Sequence, residues 1–232
     1  MNLAEYRAAH DRVTAPVAAA TVSTLRGLAG RPVTGTGWRL LLDVLFPIVV
    51  QGRRATGELA ARFYLDQRPP LELPAPPLEP PPYRRDALDR AVARTARTRL
   101  SERASTRAAI SDTTATVVRH VAQAGRDVLV TAAQTDRVRW ARVPTGRETC
   151  AFCWLLASRG PVYRSGDMTH WHDRCDCLVV PVSNPDDWEG RATFLAAQRL
   201  WRDSTEGLSG RDALNAFRRA LARTRTPDPT AT

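Results

Sequence analysis

The chain has 232 residues, of which 43% are hydrophobic and 25% charged, a globular balance that excludes wholesale disorder. All 34 basic residues are Arg and none is Lys, and the formal net charge is +10. Schiff-base lysine chemistry and a P-loop lysine are therefore excluded, while planar, permanently charged forks for phosphate or carboxylate are abundant. Arg has mostly GC-rich codons, so the bias also points to a GC-rich genome.

The N-terminal sequence MNLAEYRAAHDR is charged and lacks an apolar run, so no cleaved signal peptide is expected. The most apolar stretch, residues 38–50, contains Arg39, Asp43 and Pro47 and falls short of the roughly 20 apolar residues that span a bilayer. A soluble protein of a reducing compartment is expected, with its four cysteines as thiols and no membrane partner.

In chain order, residues 1–68 form an N-terminal helical module. Leu3, Tyr6, Val13, Val17 and Val22 predict a first helix, with Pro16 as a kink or break. After a turn over 27–37, the spacing of Leu41, Leu45, Ile48, Val49, Leu59, Phe63 and Tyr64 predicts helix again, and Pro47 predicts a kink or two helices. Residues 69–83 are a spacer. Eight of the 17 prolines lie in 69–82, so an extended polyproline-like segment is expected.

Residues 84–135 predict an Arg-rich helical pair, roughly 84–110 and 112–135. Ser111 or Asp112 would cap the second helix, and Val117, Val118, Val121 and Val128 would be its apolar face. The first has only a thin stripe of Leu88, Val92 and Leu100. Residues 84–126 carry ten Arg against four acids, +6 of the total +10. Arg90, Arg94, Arg97, Arg99, Arg103 and Arg107 are candidate contacts for nucleic-acid phosphate or an acidic protein partner; a solvated helix resting on partner helices explains the same pattern.

Residues 136–232 change texture. RVRWARVP, PVYR and CLVVPV predict three short extended pieces, followed by helices from 184 to about 204 and from 209 to 223, with a fraying TPDPTAT end. Ala213, Leu214, Phe217, Ala220 and Leu221 share one face of the last helix.

All four cysteines fall within this stretch, as Cys150-x-x-Cys153 and then His172-x-x-Cys175-x-Cys177. Zinc takes four tetrahedral ligands from thiolate and imidazole. Two sets compete: Cys150, Cys153, His172 and Cys175, or Cys150, Cys153, Cys175 and Cys177. Either closes the site, which makes the zinc structural and leaves no open position for catalysis. A thioredoxin-like CxxC lacks its βαβ setting, and a zinc deaminase would need an HxE that is absent. The expected fold class is mainly α, with a small zinc-stabilised α+β C-terminal domain.

The block WARVPTGRETCAFCWLLASRGPVY, followed by WHDRCDCLVVPV, resembles the MuF-like minor capsid (head morphogenesis) proteins of tailed phages, in the form carried by phages and prophages of actinobacterial hosts. The resemblance spans roughly residues 136–225 and rests on Cys150, Cys153, His172, Cys175 and Cys177. It implies a non-enzymatic, low-copy protein of the virion interior, present in the host cytoplasm during assembly. Its implied partners are portal and capsid proteins and, without sequence preference, packaged DNA; no small-molecule substrate is implied. The alternatives are a zinc-stabilised nucleic-acid-binding protein and a metal-dependent hydrolase using His170 and His172.

Overall fold

A computed structural model of the protein describes residues 1–28, 32–101, 106–146, 149–164 and 171–225. They form seven α-helices and two strands grouped in two units.

The first unit holds α1 (Leu3–Gly27), α2 (Gly35–Gln67), α3 (Arg85–Ser101) and α4 (Thr106–Thr135). A reciprocal capping box starts α1: Glu5 N–H donates to Asn2 Oδ1 and Asn2 N–H to Glu5 Oε2, each at 2.9 Å. Pro16 does not end α1, nor does Pro47 divide α2. Both rings lie on exposed faces, where water can serve the carbonyls that a proline leaves without an amide donor.

The buried stripe of α2 runs through Leu41, Leu45, Val49, Gly52, Thr56, Ala60 and Phe63, at spacings of three and four. It meets α1 through the stacked rings of Tyr6 and Phe63, 4.4 Å apart, and α4 through the Thr56 hydroxyl, which donates to the Val121 carbonyl at 2.8 Å. The backbones approach closely at Gly52, where a Cβ would sit 2.9 Å from both Val121 methyls and 3.1 Å from Val17.

Leu88, Val92 and Leu100 are buried as the thin stripe of α3 requires. The break between α3 and α4 falls earlier in the chain than the sequence suggests. Ser111 and Asp112 are interior to α4 and cap nothing; Asp112 is instead an ion-pair partner of Arg99 and Arg174. On α4, Val117, Val121 and Val128 are buried and Val118 only partly so.

The Pro-rich segment lies against α2. Pro80 packs on Gly57, and Arg53 of α2 donates to the Pro81 carbonyl at 3.3 Å while its guanidinium covers the Tyr83 ring at 4.5 Å. At its start, Arg68 holds the Leu73 and Pro74 carbonyls at 3.0 and 3.1 Å. The same guanidinium pairs with buried Asp136, which also accepts from Tyr64 Oη at 2.8 Å. Residues 171–174 belong to this unit as well: Trp171 lies under Arg126, Asp173 pairs with Arg119, and Arg174 with Asp112.

The second unit holds β1 (Arg139–Val143), α5 (Ala151–Ala157), β2 (Leu178–Val182), α6 (Arg191–Thr205) and α7 (Gly210–Arg225). The strands pair antiparallel from Arg139↔Val182 to Val143↔Leu178, and the predicted PVYR piece adds a single bridge, Trp140↔Tyr163. Two strands alone are marginal in water. Here every residue but Arg139 is buried, and α5 packs on β1.

The helix expected from residue 184 begins later, at Arg191, after a turn closed by Gly190 at φ +106°. At α7, the Ser209 carbonyl accepts the Ala213 amide, as an N-cap does. Ala213, Phe217, Ala220 and Leu221 are buried, Leu214 partly so. The TPDPTAT end lies outside the described residues.

Candidate metal centre

Cys150 is the N-cap of α5, its Sγ accepting the Cys153 amide at 3.4 Å while its carbonyl accepts the Trp154 amide at 3.1 Å. One turn of helix thus brings the first pair to one side. The second pair, Cys175 and Cys177, immediately precedes β2. The thiols of Cys153, Cys175 and Cys177 lie within 4.8 Å of one another, and Cys153 and Cys175 are 3.6 Å apart. Zn–S bonds of about 2.3 Å at tetrahedral angles place two ligand sulfurs about 3.8 Å apart, so this spacing suits a shared cation. None of the four cysteines is in a disulfide.

Crowding raises two of the thiols, although the hydrogen bond from Cys177 works the other way on Cys153. Hydrogen bonding to Cys175, then burial, raises the Cys153 thiol well above its ordinary range. Hydrogen bonding to Cys153 and Cys175, together with burial, does the same for Cys177. A divalent cation supplies what these neighbours lack, since thiolate is the ligating form and metal binding expels the protons.

Two threonines fasten the cysteine-bearing segments together. The Thr149 hydroxyl lies 2.9 and 2.7 Å from the two carboxylate oxygens of Asp176, and the Thr145 hydroxyl donates to the Asp176 carbonyl at 2.6 Å. The chain is close-packed there: a Cβ on Gly146 would overlap Asp176 Oδ2.

His172 belongs to the stretch of chain grouped with the first unit. Its Nδ1 lies 2.7 Å from the Asp173 carbonyl, which can only accept, so Nδ1 is the donor of that pair. His170 lies outside the described residues. Trp171 packs under Arg126, the role of an ordinary loop aromatic.

The VG15 protein family profile matches residues 1–204, most of the chain and all of the cysteine block. The chain belongs to the VG15 family. It is 33% identical to the Gene 15 protein of Mycobacterium phage D29, over 80% of this chain and 86% of that one. It is 31% identical to the Gene 15 protein of Mycobacterium phage L5, over 96% of each. No solved structure matches it. This is a family of phage proteins, and no described helix of this VG15 chain is long and apolar enough to cross a membrane.

Three of the α3 arginines singled out in the sequence make contacts within this VG15 chain. Arg90 pairs with Asp86 at 2.8 Å, Arg97 lies over the Trp38 ring at 4.8 Å, and Arg99 pairs with Asp112. Arg94 and Arg107 are exposed. Arg103 lies outside the described residues.

Sequence reasoning passed over Arg142, Thr149 and Asp176. The signal for Arg142 was its parity with Trp140 in an alternating strand, which places both on one face. That for Asp176 was its position between two cysteines, where alternation in extended chain turns its side chain away from both thiols.

Proposed function

We propose that this chain is a minor structural protein of a tailed-phage head, of the MuF-like kind. It would sit in low copy inside the head, associated with portal and capsid proteins, and assist genome packaging or delivery. The observation that supports this reading is the joint one: a CxxC and HxxCxC block of MuF-like pattern, in a chain related over nearly its whole length to mycobacteriophage Gene 15 proteins.

In this reading Cys150, Cys153, Cys175 and Cys177 hold one structural zinc ion. Three buried or half-buried thiols at ligand spacing suit the all-cysteine set, and the second candidate group, Cys150, Cys153 and His172, suits the other. His172 is the competing fourth ligand. The zinc would lock α5 to the start of β2, replacing the core that two five-residue strands cannot supply. Four protein ligands leave no position for substrate, so the protein acts as a scaffold and not as a hydrolase.

The test is quantitative mass spectrometry on purified filled heads and empty proheads of a phage encoding the chain. The expected result is recovery in both, at a few copies per portal. Absence from both would overturn the head assignment. Elemental analysis of the purified chain should find one zinc per molecule, and a folded chain without metal would overturn the structural centre.

A further inference from the structure

Arg142, the fourth of the five residues of β1, is 2% exposed. A buried guanidinium is always charged and poorly tolerated without compensating negative charge. Its place in the ladder says where that charge comes from. Arg142 pairs with Val179 of β2, and paired residues of an antiparallel ladder share a face. Cys177, buried and one residue before β2 begins, precedes Val179 by two residues. The groups whose charge acts on Arg142 include Cys177, Cys175, Tyr163 and Cys153, the cysteines among them being three of the four proposed ligands. Burial alone works against the cation, and the sulfurs work for it.

Four thiolates around a divalent cation carry a net charge of −2, and three thiolates with one imidazole carry −1. Either centre is an anion enclosed in protein. We propose that Arg142 is the charge-balancing residue of the cysteine centre, a buried cation laid against the sulfurs that offsets the negative charge of the metal–thiolate cluster. This rests on the metal centre proposed above. It makes Arg142 a positioning residue: it acts on the ligand sulfurs and not on the metal, and its effect is read through them.

The experiment is cobalt(II) titration of the full chain against a competing chromophoric chelator, following the sulfur-to-cobalt charge-transfer absorption. In Arg142→Met the apparent affinity should fall about tenfold or more, with the charge-transfer band shifted. Arg142→Lys, which keeps the charge, should stay within about threefold of the native chain. Arg139→Met, at the exposed end of the same strand, removes a charge away from the sulfurs and should bind as the native chain does. Unchanged affinity in a folded Arg142→Met would overturn the assignment while leaving the centre intact. If that variant does not fold, Arg142→Lys decides: near-native affinity supports charge balance, and a tenfold loss overturns it. A native chain with no cobalt–thiolate absorption would instead bring down the metal reading beneath it.

Discussion

The Thr149 hydroxyl lies within hydrogen-bond reach of both carboxylate oxygens of Asp176, at 2.9 and 2.7 Å. Thr149 adjoins Cys150, and Asp176 stands between Cys175 and Cys177. A Thr149 hydrogen bond therefore joins the two halves of the candidate metal centre, beside the one from Thr145.

Thr149→Val removes that donor, keeps the shape and leaves a half-buried carboxylate short of a partner. Stability should fall by about 1–3 kcal/mol in urea unfolding, with metal affinity reduced about tenfold or more. Thr149→Ser should restore most of both, because the hydroxyl is retained.

The two ligand sets differ in which residue can be removed. With all-cysteine ligation, Cys177→Ser should cut the intensity of the cobalt–thiolate absorption by about one quarter and weaken binding, while His172→Ala leaves the spectrum unchanged. The reverse pattern would assign the fourth position to His172.

Acid should weaken the first unit before its carboxylates titrate. Burial lowers His120 to about 4, and the Arg119 and Arg53 charges beside it add to the effect; the opposing charge is Asp173. Tyr83 Oη and Arg119 Nη2 occupy its two ring nitrogens at 2.7 and 3.0 Å. Burial and Arg126 lower His10 to about 4 as well, against a smaller opposing effect from Asp11. Both folded values lie below the ordinary 6.5, so the unfolded chain takes up these protons first. Their effect is nil above pH 6.5, and stability is lost as pH falls from about 6.5 to about 4, by roughly 1–3 kcal/mol per histidine. Thermal melts across that window should show the decline, and His120→Gln should flatten it.

Gly52 offers a case where helix propensity points the wrong way. Glycine to alanine inside a helix ordinarily gains about 1 kcal/mol. At this position the new methyl would meet Val121 at 2.9 Å and Val17 at 3.1 Å, so α1, α2 and α4 must part. Overpacking of this kind costs about 1–3 kcal/mol. Gly52→Ala should therefore be the less stable protein in urea.

If the basic segment guides this chain to DNA, Arg94 and Arg107, both exposed, are the described arginines to test first. Reversing both charges should lower retention on mixed-sequence duplex DNA and reduce the magnitude of the salt slope by about 2. Reversing Arg99 should act first on the melting temperature, because Asp112 loses a partner.

Much of the helical unit was legible in the sequence because its apolar residues recur every three or four positions, as Leu41, Leu45 and Val49 do. Breaks were read less well. Pro16 and Pro47 look like terminators, yet a proline on a solvent-facing stripe costs its helix one bond that water replaces. Ser111 and Asp112 look like caps, but Asp112 serves Arg99 and Arg174 from mid-helix, and the partner 62 residues away leaves no local trace. The cysteine pairs were legible from spacing alone. Arg142 was not, because its parity with Trp140 gives a shared face but not what that face meets, which only the ladder with β2 fixes.

The chain leaves the helical unit after Arg137, returns for residues 171–174, and leaves again at Cys175. No single cut can separate the two units as intact pieces. A truncation ending at Arg137 would strip the indole from Arg126, the carboxylate from Arg119 and one guanidinium from Asp112, all on α4. A fragment built for crystallisation or binding assays must carry the return segment that includes residues 171–174, supplied in cis by a linker or in trans as a peptide, to present α4 with its native surface.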